Sequence, residues 1–446
     1  MQLFYINNLK VLYRRLITFC FFSMSSATLL FATEATQTNV LPEPLTLEYA
    51  LSRVTVAHPS LSQMEANIQS AEADKELASA RTGFNSHIVA RLRYFEPSSA
   101  LQDQSHDDHR LGIIVDKTLY DFGRTGSLVD DANSRIESER LRYQETLHQR
   151  RINIMRAYFD VLLADVQFYR YNEEMAVEYI NYDKLQNRHE LGQVSDLEVI
   201  EAESKYRTIR KLRAQSQGMQ RITRSRLAYA MGHAGDLPTT VSRAGDLPHL
   251  QRPLPEVEIL QQKALDANPT LRALRAGTMA AKSRIEAAEA GSMPLLIGSA
   301  EANAYSRVRA RNDAWRVNLI LTVPITTGGS VDAATAKERA GLYQITAELA
   351  DHAESIKQQV LELWLKLESL RLQRDELTTH ADFRELSLDR NRALYEMEVK
   401  TDLGDAMVKV TETEYELLAT EFNIVLVWEQ LDAITGMKPI EISEQK

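Results

Sequence analysis

The residues in this chain best suited to chemistry are charged, and no group of them forms a catalytic set. Asp402 and Asp405 stand three apart at the start of a predicted helix, which puts both carboxylates on one face. Such a pair either caps the helix against its exposed amide groups or, where several copies meet around an axis, gathers cations. Asp196 and Glu198 make a weaker pair of the same kind earlier in the chain. His106-Asp107-Asp108-His109 offers ligand types for a divalent ion, but it falls in a polar stretch that a solvated loop tip explains better, so no metal is assigned. Gly-x-Ser-x-Gly and His-Glu-x-x-His are absent. The nearest approach to a phosphate loop, Gly277 to Lys282-Ser283, lacks its second glycine and lies in a helical stretch. The sequence predicts neither an enzyme nor a cofactor, and any work done on a substrate must draw its energy from a partner.

The elements that position these charges begin with a compartment signal. Lys10, Arg14 and Arg15 precede an apolar run from Leu16 to Ala32, and a polar stretch follows, the pattern of a secretory signal peptide over residues 1–32. The run is about 17 residues, so a retained anchor helix is the competing reading. Cys20, the only cysteine, sits inside the run behind Phe19, where a lipid-attachment signal needs a small residue. The mature chain then has no thiol for a disulfide, a metal or a nucleophile. Removing three positive charges takes the net charge from −10 to about −13, which argues against nucleic acid as a partner. Beyond residue 32 no apolar run of about 18 residues remains, so insertion into a membrane would require a closed barrel. Only 17 Gly and 12 Pro in 446 residues, with abundant Ala, Leu, Glu, Arg and Gln, describe a mainly helical protein.

The pattern is written twice. Leu47-Glu48, Ala50-Leu51, Val54 and Ala57-His58-Pro59-Ser60-Leu61 return as Val257-Glu258, Leu260, Ala264 and Ala267-Asn268-Pro269-Thr270-Leu271. The first repeat is set at 45–240, a linker at 241–256, the second repeat at 257–438 and a tail at 439–446. Each repeat then switches to a two-residue period. Trp315, Val317, Leu319, Leu321 and Val323 alternate with Arg316, Asn318 and Thr322, a strand with one apolar and one wet face. Leu111, Ile113, Val115 and Leu119 repeat it with Ile114 and Lys117 as blemishes, and Ile88, Ala90, Leu92 and Tyr94 alternate with Arg91 and Arg93. Strands are expected at about 86–96, 110–121, 295–305 and 315–324, paired through polar loops. Their length suits an oblique crossing of an outer membrane, with Tyr94, Tyr120, Tyr305 and Trp315 as an aromatic girdle. Four strands cannot close a barrel, so several chains must share one. Arg91, Arg93, Arg307, Arg309 and Arg311 would make its mouth anion-attracting, or else be plain interior charge or contacts to lipopolysaccharide phosphates.

Turns carrying Gly123 and then Pro324, Gly328 and Gly329 lead from each strand pair into a long helix, about 125–191 and about 331–396. Each helix is about 66 residues, or roughly 100 Å at 1.5 Å per residue. Leu349, Ile356, Val360, Leu363, Leu367 and Leu370, and later Val410, Leu417, Ile424, Val427, Leu431 and Ile434, step in heptad fashion, a coiled-coil seam. Tyr158, Phe159, Phe168 and Tyr169 are assigned to the same kind of core. Shorter helices at about 59–83 and 195–232, and at 269–291 and 401–436, match one long helix when two are stacked. Helical hairpin tips fall at about 190–198 and 396–406.

These features resemble the TolC-like outer-membrane factors over nearly the whole mature chain, from Leu45 to Gly436. The likeness rests on the duplicated proline starts and the glycine turns. It rests also on the tip Arg188, Leu191-Gly192-Gln193-Val194-Ser195-Asp196-Leu197, Ala202, and on the closing Met231-Gly232 and Thr435-Gly436. The resemblance implies a mainly α chain with a membrane β-barrel: a homotrimer sharing a twelve-stranded barrel in outer-membrane lipid above a coiled-coil α-helical barrel in the periplasm. It implies passive conduction for a tripartite efflux pump, with a periplasmic adaptor protein and an inner-membrane transporter, proton-driven or ABC type, as partners. By the same resemblance, Gly192, Gln193, Val194, Ser195 and Leu197 in one tip and Lys400, Thr401, Leu403 and Gly404 in the other dock the adaptor. Asp402 and Asp405, with Asp196 and Glu198 as weaker candidates, would ring a periplasmic gate. The second tip departs from the pattern, since it lacks a glycine matching Gly192. Type I protein secretion uses the same kind of duct. A periplasmic adaptor would show one hairpin between strand-rich domains, and a coiled-coil rod would lack the four strands.

Overall fold

The computed structural model describes residues 41–97, 104–233, 235, 237–243, 245, 247–307, 312–397 and 403–437. The predicted signal segment 1–32, the tail 439–446, Arg309, Arg311, Lys400, Thr401 and Asp402 lie outside the described residues.

Each repeat opens with a short helix, a proline-marked restart and a second helix. These are α1 (Leu47–Ser52) and α2 (Pro59–Ala80) in the first repeat, α5 (Val257–Ala267) and α6 (Pro269–Glu289) in the second. Proline tolerates the first helical position because its missing N–H would have no intrahelical acceptor there. The residue before it supplies the cap: His58 accepts from Ser60 N, and Asn268 accepts from Leu271 N at 3.0 Å.

Strands β1 (Phe84–Arg91) and β2 (Arg110–Tyr120) follow in the first repeat, β3 (Leu295–Tyr305) and β4 (Trp315–Thr322) in the second. They form one antiparallel sheet in the order β1-β2-β3-β4, so the two repeats meet at the β2–β3 seam. β1 ends at Arg91, short of the expected boundary near 96. Beyond it, Phe95 N to His106 O and Asp108 N to Arg93 O keep the hairpin legs together, with one isolated bridge from Tyr94 to Asp107.

The long helices are α3 (Arg124–Glu190) and α7 (Ser330–Glu396), each 67 residues. Helix α4 (Asp196–Met231) returns from the first tip and α8 (Leu403–Thr435) from the second. Contacts along α3 change partner with position. Its Arg135 and Arg140 pair with Asp74 and Glu72 of α2, whereas its Asp165, Asn172 and Tyr182 meet Arg224, Arg213 and Tyr206 of α4. Helix α7 behaves alike, meeting α6 through Glu338 and Arg284 and α8 through Arg374 and Glu421. Two short helices per repeat thus share one long helix, as their lengths predict.

The main core lies where α5, α6, α7 and α8 converge. Leu260, Leu271, Ile356, Val360, Leu367, Ile424, Val427, Trp428 and Leu431 are buried there, with Leu349, Leu363, Leu370 and Ile434 packed on them. Burying one such side chain stabilises the fold by about 1.5–3 kcal/mol. Tyr158 and Phe159 are also buried, and Phe159 stacks on Phe422 with ring centroids 4.2 Å apart. Tyr169 departs from the expectation: it is 63% exposed in the single chain.

Candidate functional site

The sheet sorts its side chains by face. Register sets Leu111 against Ala304, Ile113 against Ala302 and Val115 against Ala300, and on β4 Val317 lies against Ala300 and Leu319 against Gly298. These residues, with Ile88, Ala90 and Trp315, make one nearly continuous apolar face. Trp315, Val317, Leu319 and Leu321 stay more than half exposed in the single chain, so an apolar surroundings must cover them from outside it. Lys117 interrupts this face close to the helical side, where its ammonium lies over the Phe84 ring at 4.4 Å. The other face carries Arg91, Arg110, Asp116, Glu301, Asn303, Arg316 and Asn318.

One girdle residue keeps its face only through a bulge, and another changes face. A register shift between Thr118 and Tyr120 pairs Tyr120 with Leu296 of the apolar face, so the bulge brings Tyr120 into the girdle. Tyr305 pairs with Arg110 and therefore belongs to the polar face. Alternation alone could not reveal the bulge, since the extra residue leaves no mark in the pattern.

Glycines stand at both strand-to-helix turns. Gly123 (φ 93°) and Gly329 (φ 79°) precede the first residues of α3 and α7 in the left-handed conformation, which a side chain would strain. Asp121 Oδ2 accepts from Thr125 N at 2.8 Å and closes the first turn of α3. Pro324 and Gly328 sit in the equivalent connection after β4.

The His106–His109 segment does not converge. His106 Nδ1 lies 3.2 Å from Phe95 O and 3.3 Å from Glu96, while Asp108 pairs with Arg93 at 3.5 Å. His109 faces Asp107 at 3.9 Å. Among the described residues no cluster of three His, Cys, Asp or Glu side chains suits a metal. Arg307 is buried and lies over the Phe95 ring at 5.3 Å, donating to Ser105 O at 3.1 Å. It stabilises the loops and is not free to face a pore.

The first tip is a closed, hydrogen-bonded turn. Gly192 N and Gln193 N donate to His189 O (2.8 Å) and Arg188 O (2.9 Å), ending α3. Ser195 and Glu198 form a reciprocal capping box, with Ser195 N donating to Glu198 Oε2 at 2.8 Å. Those backbone and hydroxyl donors hold the Glu198 carboxyl below its usual range. Asp196 Oδ1 lies 2.5 Å from His189 Nε2. Both acidic residues of this tip therefore have local structural partners, while Leu197 and Leu191 remain exposed at the turn.

In the second tip, Leu403 and Gly404 begin α8, and Asp405 pairs with Lys409 one turn on. Gly404 is a close-approach residue. A Cβ there would stand 2.7 Å from Val177 Cγ1 of α3, so α8 can pack against α3 at this point only without a side chain. Around this contact lie Glu174, Glu178, Arg170 and Glu412; burial pushes the Glu174 carboxyl up, and Arg170 pulls it back.

A buried polar node is the feature the sequence did not disclose. Arg151 of α3 grips Glu429 of α8 with two hydrogen bonds, Nε to Oε2 at 2.9 Å and Nη2 to Oε1 at 3.2 Å. His249, in the linker, is wholly buried with its Nε2 3.4 Å from Glu429 Oε1. Burial alone would raise the Glu429 carboxyl, but His249 and Arg151 outweigh it and hold it below its usual range. One turn away Arg252 pairs with Asp432 at 2.8 Å and lies over the Trp428 ring at 4.1 Å. Arg371 of α7 donates to Arg252 O, and Trp364 Nε1 to Pro255 O at 2.9 Å. The linker is thus strapped to the second repeat, while Tyr158 OH, 2.7 Å from Ser242 O, ties its start to α3 of the first. Glu429 and Asp432, three apart inside the heptad run of α8, were the available signal.

Comparison with known proteins agrees with this geometry. The family model for outer membrane efflux proteins matches residues 50–233 and 260–437, one match per repeat. Among proteins with curated descriptions, none matches in sequence. The fold is similar to that of the outer membrane protein VceC from Vibrio cholerae, with 16% identity and a TM-score of 0.70, covering 88% of this chain and 96% of that one. It is similar also to a membrane protein from Pseudomonas aeruginosa (17%, 0.72, 88% and 90%) and to the open state of the MtrE outer membrane channel of Neisseria gonorrhoeae (16%, 0.68, 88% and 89%). With both repeats matched and the apolar sheet in place, the chain belongs to the outer membrane efflux protein family and resides in the outer membrane, its helices extending into the periplasm.

Proposed function

We propose that three copies of this chain form a passive exit duct that carries substrates across the periplasm and the outer membrane, with a periplasmic adaptor and an inner-membrane transporter supplying selection and energy. One observation carries the reading. A four-stranded antiparallel sheet with an apolar outer face and two open edges, β1 and β4, is continuous with two 67-residue helices. Open edges in lipid would leave rows of unpaired backbone groups, each costing several kcal/mol, roughly 2–7, so the sheet must close on neighbours. Three copies would supply about twelve strands, enough for a barrel with an aqueous bore.

The exposed tips fit docking. Leu191 and Leu197 flank the Gly192 turn, and Gln193, Val194 and Ser195 form its rim. Purified protein in planar bilayers should give discrete ohmic conductance steps. A protein that inserts as trimers yet never conducts would contradict the duct; one that never reaches the outer membrane would contradict the barrel.

A further inference from the structure

Charge on the polar face of the sheet is concentrated beside the β1–β2 and β3–β4 loops. Register sets Arg91 opposite Arg110, and Glu301 opposite Arg316, all on that face. Arg110 reaches diagonally from β2 to β3, its Nη2 donating to Glu301 Oε2 at 3.1 Å and its Nε to Asn303 Oδ1 at 2.9 Å. From β4, Arg316 Nη2 donates to both oxygens of Glu301, at 2.9 and 2.8 Å. Gly112 makes room for this lattice: a Cβ there would stand 2.2 Å from Asn303 Oδ1. One carboxylate thus holds two guanidiniums, leaving a single positive charge in excess. Arg91 adds a second, since no carboxylate among the described residues pairs with it and it stands exposed. Farther toward the helices Asp116 faces Ser299, so negative charge follows positive along the wall.

We propose that Arg91, Arg110 and Arg316 form an anion-binding belt inside the barrel, taking carboxylate, phosphate or sulfonate groups. The proposal rests on the duct reading above, which turns the polar face inward. In three copies the belt's own residues carry an excess of about six positive charges, reduced to about three when Asp313 beside Arg316 is counted, in a bore whose low-dielectric wall strengthens their field. Glu301 fixes the two guanidiniums in advance, and their remaining N–H groups suit bidentate capture of an oxyanion. Arg93 and Arg307 do not contribute, because Asp108 and the Phe95 ring already engage them. A purely structural lattice would account for Arg110, Glu301 and Arg316 but would leave Arg91 without a role.

Inorganic tripolyphosphate, added from the loop side of single channels in a planar bilayer, tests the belt. Wild type should be blocked. Block affinity should fall by about tenfold or more in Arg91→Gln/Arg316→Gln, tenfold being the effect of about 1.4 kcal/mol. Arg91→Gln alone leaves the lattice intact and should weaken block, whereas Arg91→Lys should keep it. Open channels that tripolyphosphate does not block, or blocks equally in wild type and Arg91→Gln, would overturn the belt while leaving the duct standing. Trimers without conductance would overturn the duct reading, and the belt with it.

Discussion

The sheet and the helical region bury their apolar residues in opposite ways. Helices α5 to α8 enclose Trp428, Leu260, Val360 and Leu431 within one chain, whereas Leu319, Val317 and Trp315 on β4 lie open. The first region has a core of its own; the second is complete only with lipid and neighbouring copies. Polar residues are divided in the same sense. The helices bury a charged node built on the Arg151–Glu429 and Arg252–Asp432 pairs, and the sheet displays all its charges but Lys117 on one face.

The largest effect should come from charging the sheet's apolar face. Leu319→Arg costs roughly 2–4 kcal/mol per chain near the membrane centre, incurred three times in a trimer. Asn318→Arg, one residue away on the polar face, should be tolerated. Heat-modified gel migration of outer-membrane fractions measures both, and equal levels of the two variants would erase the distinction between the faces.

The helical counterpart is Glu429→Leu, which leaves Arg151 and His249 buried without their carboxylate. Breaking a buried pair in this way costs about 3–5 kcal/mol, and thermal melting should reveal it as instability without any change in pore properties. Its pH dependence has a definite sign. Because the folded-state pKa is depressed, the carboxylate's contribution is fully present above the ordinary value of 4.5 and is lost as pH falls through the folded value. Wild type and Glu429→Gln should therefore converge in melting temperature below that range; a gap that widened on acidification would contradict the assignment.

Smaller still is Gly404→Ala, whose Cβ would press on Val177 and shift α8 against α3 at a cost of about 1–3 kcal/mol. Restored stability in Gly404→Ala/Val177→Ala would confirm that contact as the cause. The smallest expected change in stability belongs to Asp405, whose local partner is Lys409. A gate role requires that Asp402→Ala/Asp405→Ala lose cation selectivity and cation block in bilayers. Capping alone would lower helix stability by roughly 0.5–2 kcal/mol and leave selectivity unchanged.

The contrast also explains what the sequence could disclose. Helix spacing is local, so α3 and α7 were legible to within a residue, and β4 was legible at its start because its alternation opens sharply at Trp315. The duplicated Pro59 and Pro269 starts gave the repeat. What escaped depends on residues distant in the chain. The Arg151–Glu429–His249 node joins α3, α8 and the linker, and no period marks it. Gly404 read as a tip residue, but its role is set by Val177 across the helix pair. The arginines near the loops looked alike as residue types, and only register and partners separate Arg91 from Arg93 and Arg307.

Native mass spectrometry of detergent-extracted protein tests the shared barrel most directly. The open β1 and β4 edges require closure on neighbouring copies, and a twelve-stranded barrel predicts three chains in the extracted species with no folded single chain persisting in lipid. A stable, lipid-inserted monomer with its sheet intact would contradict it.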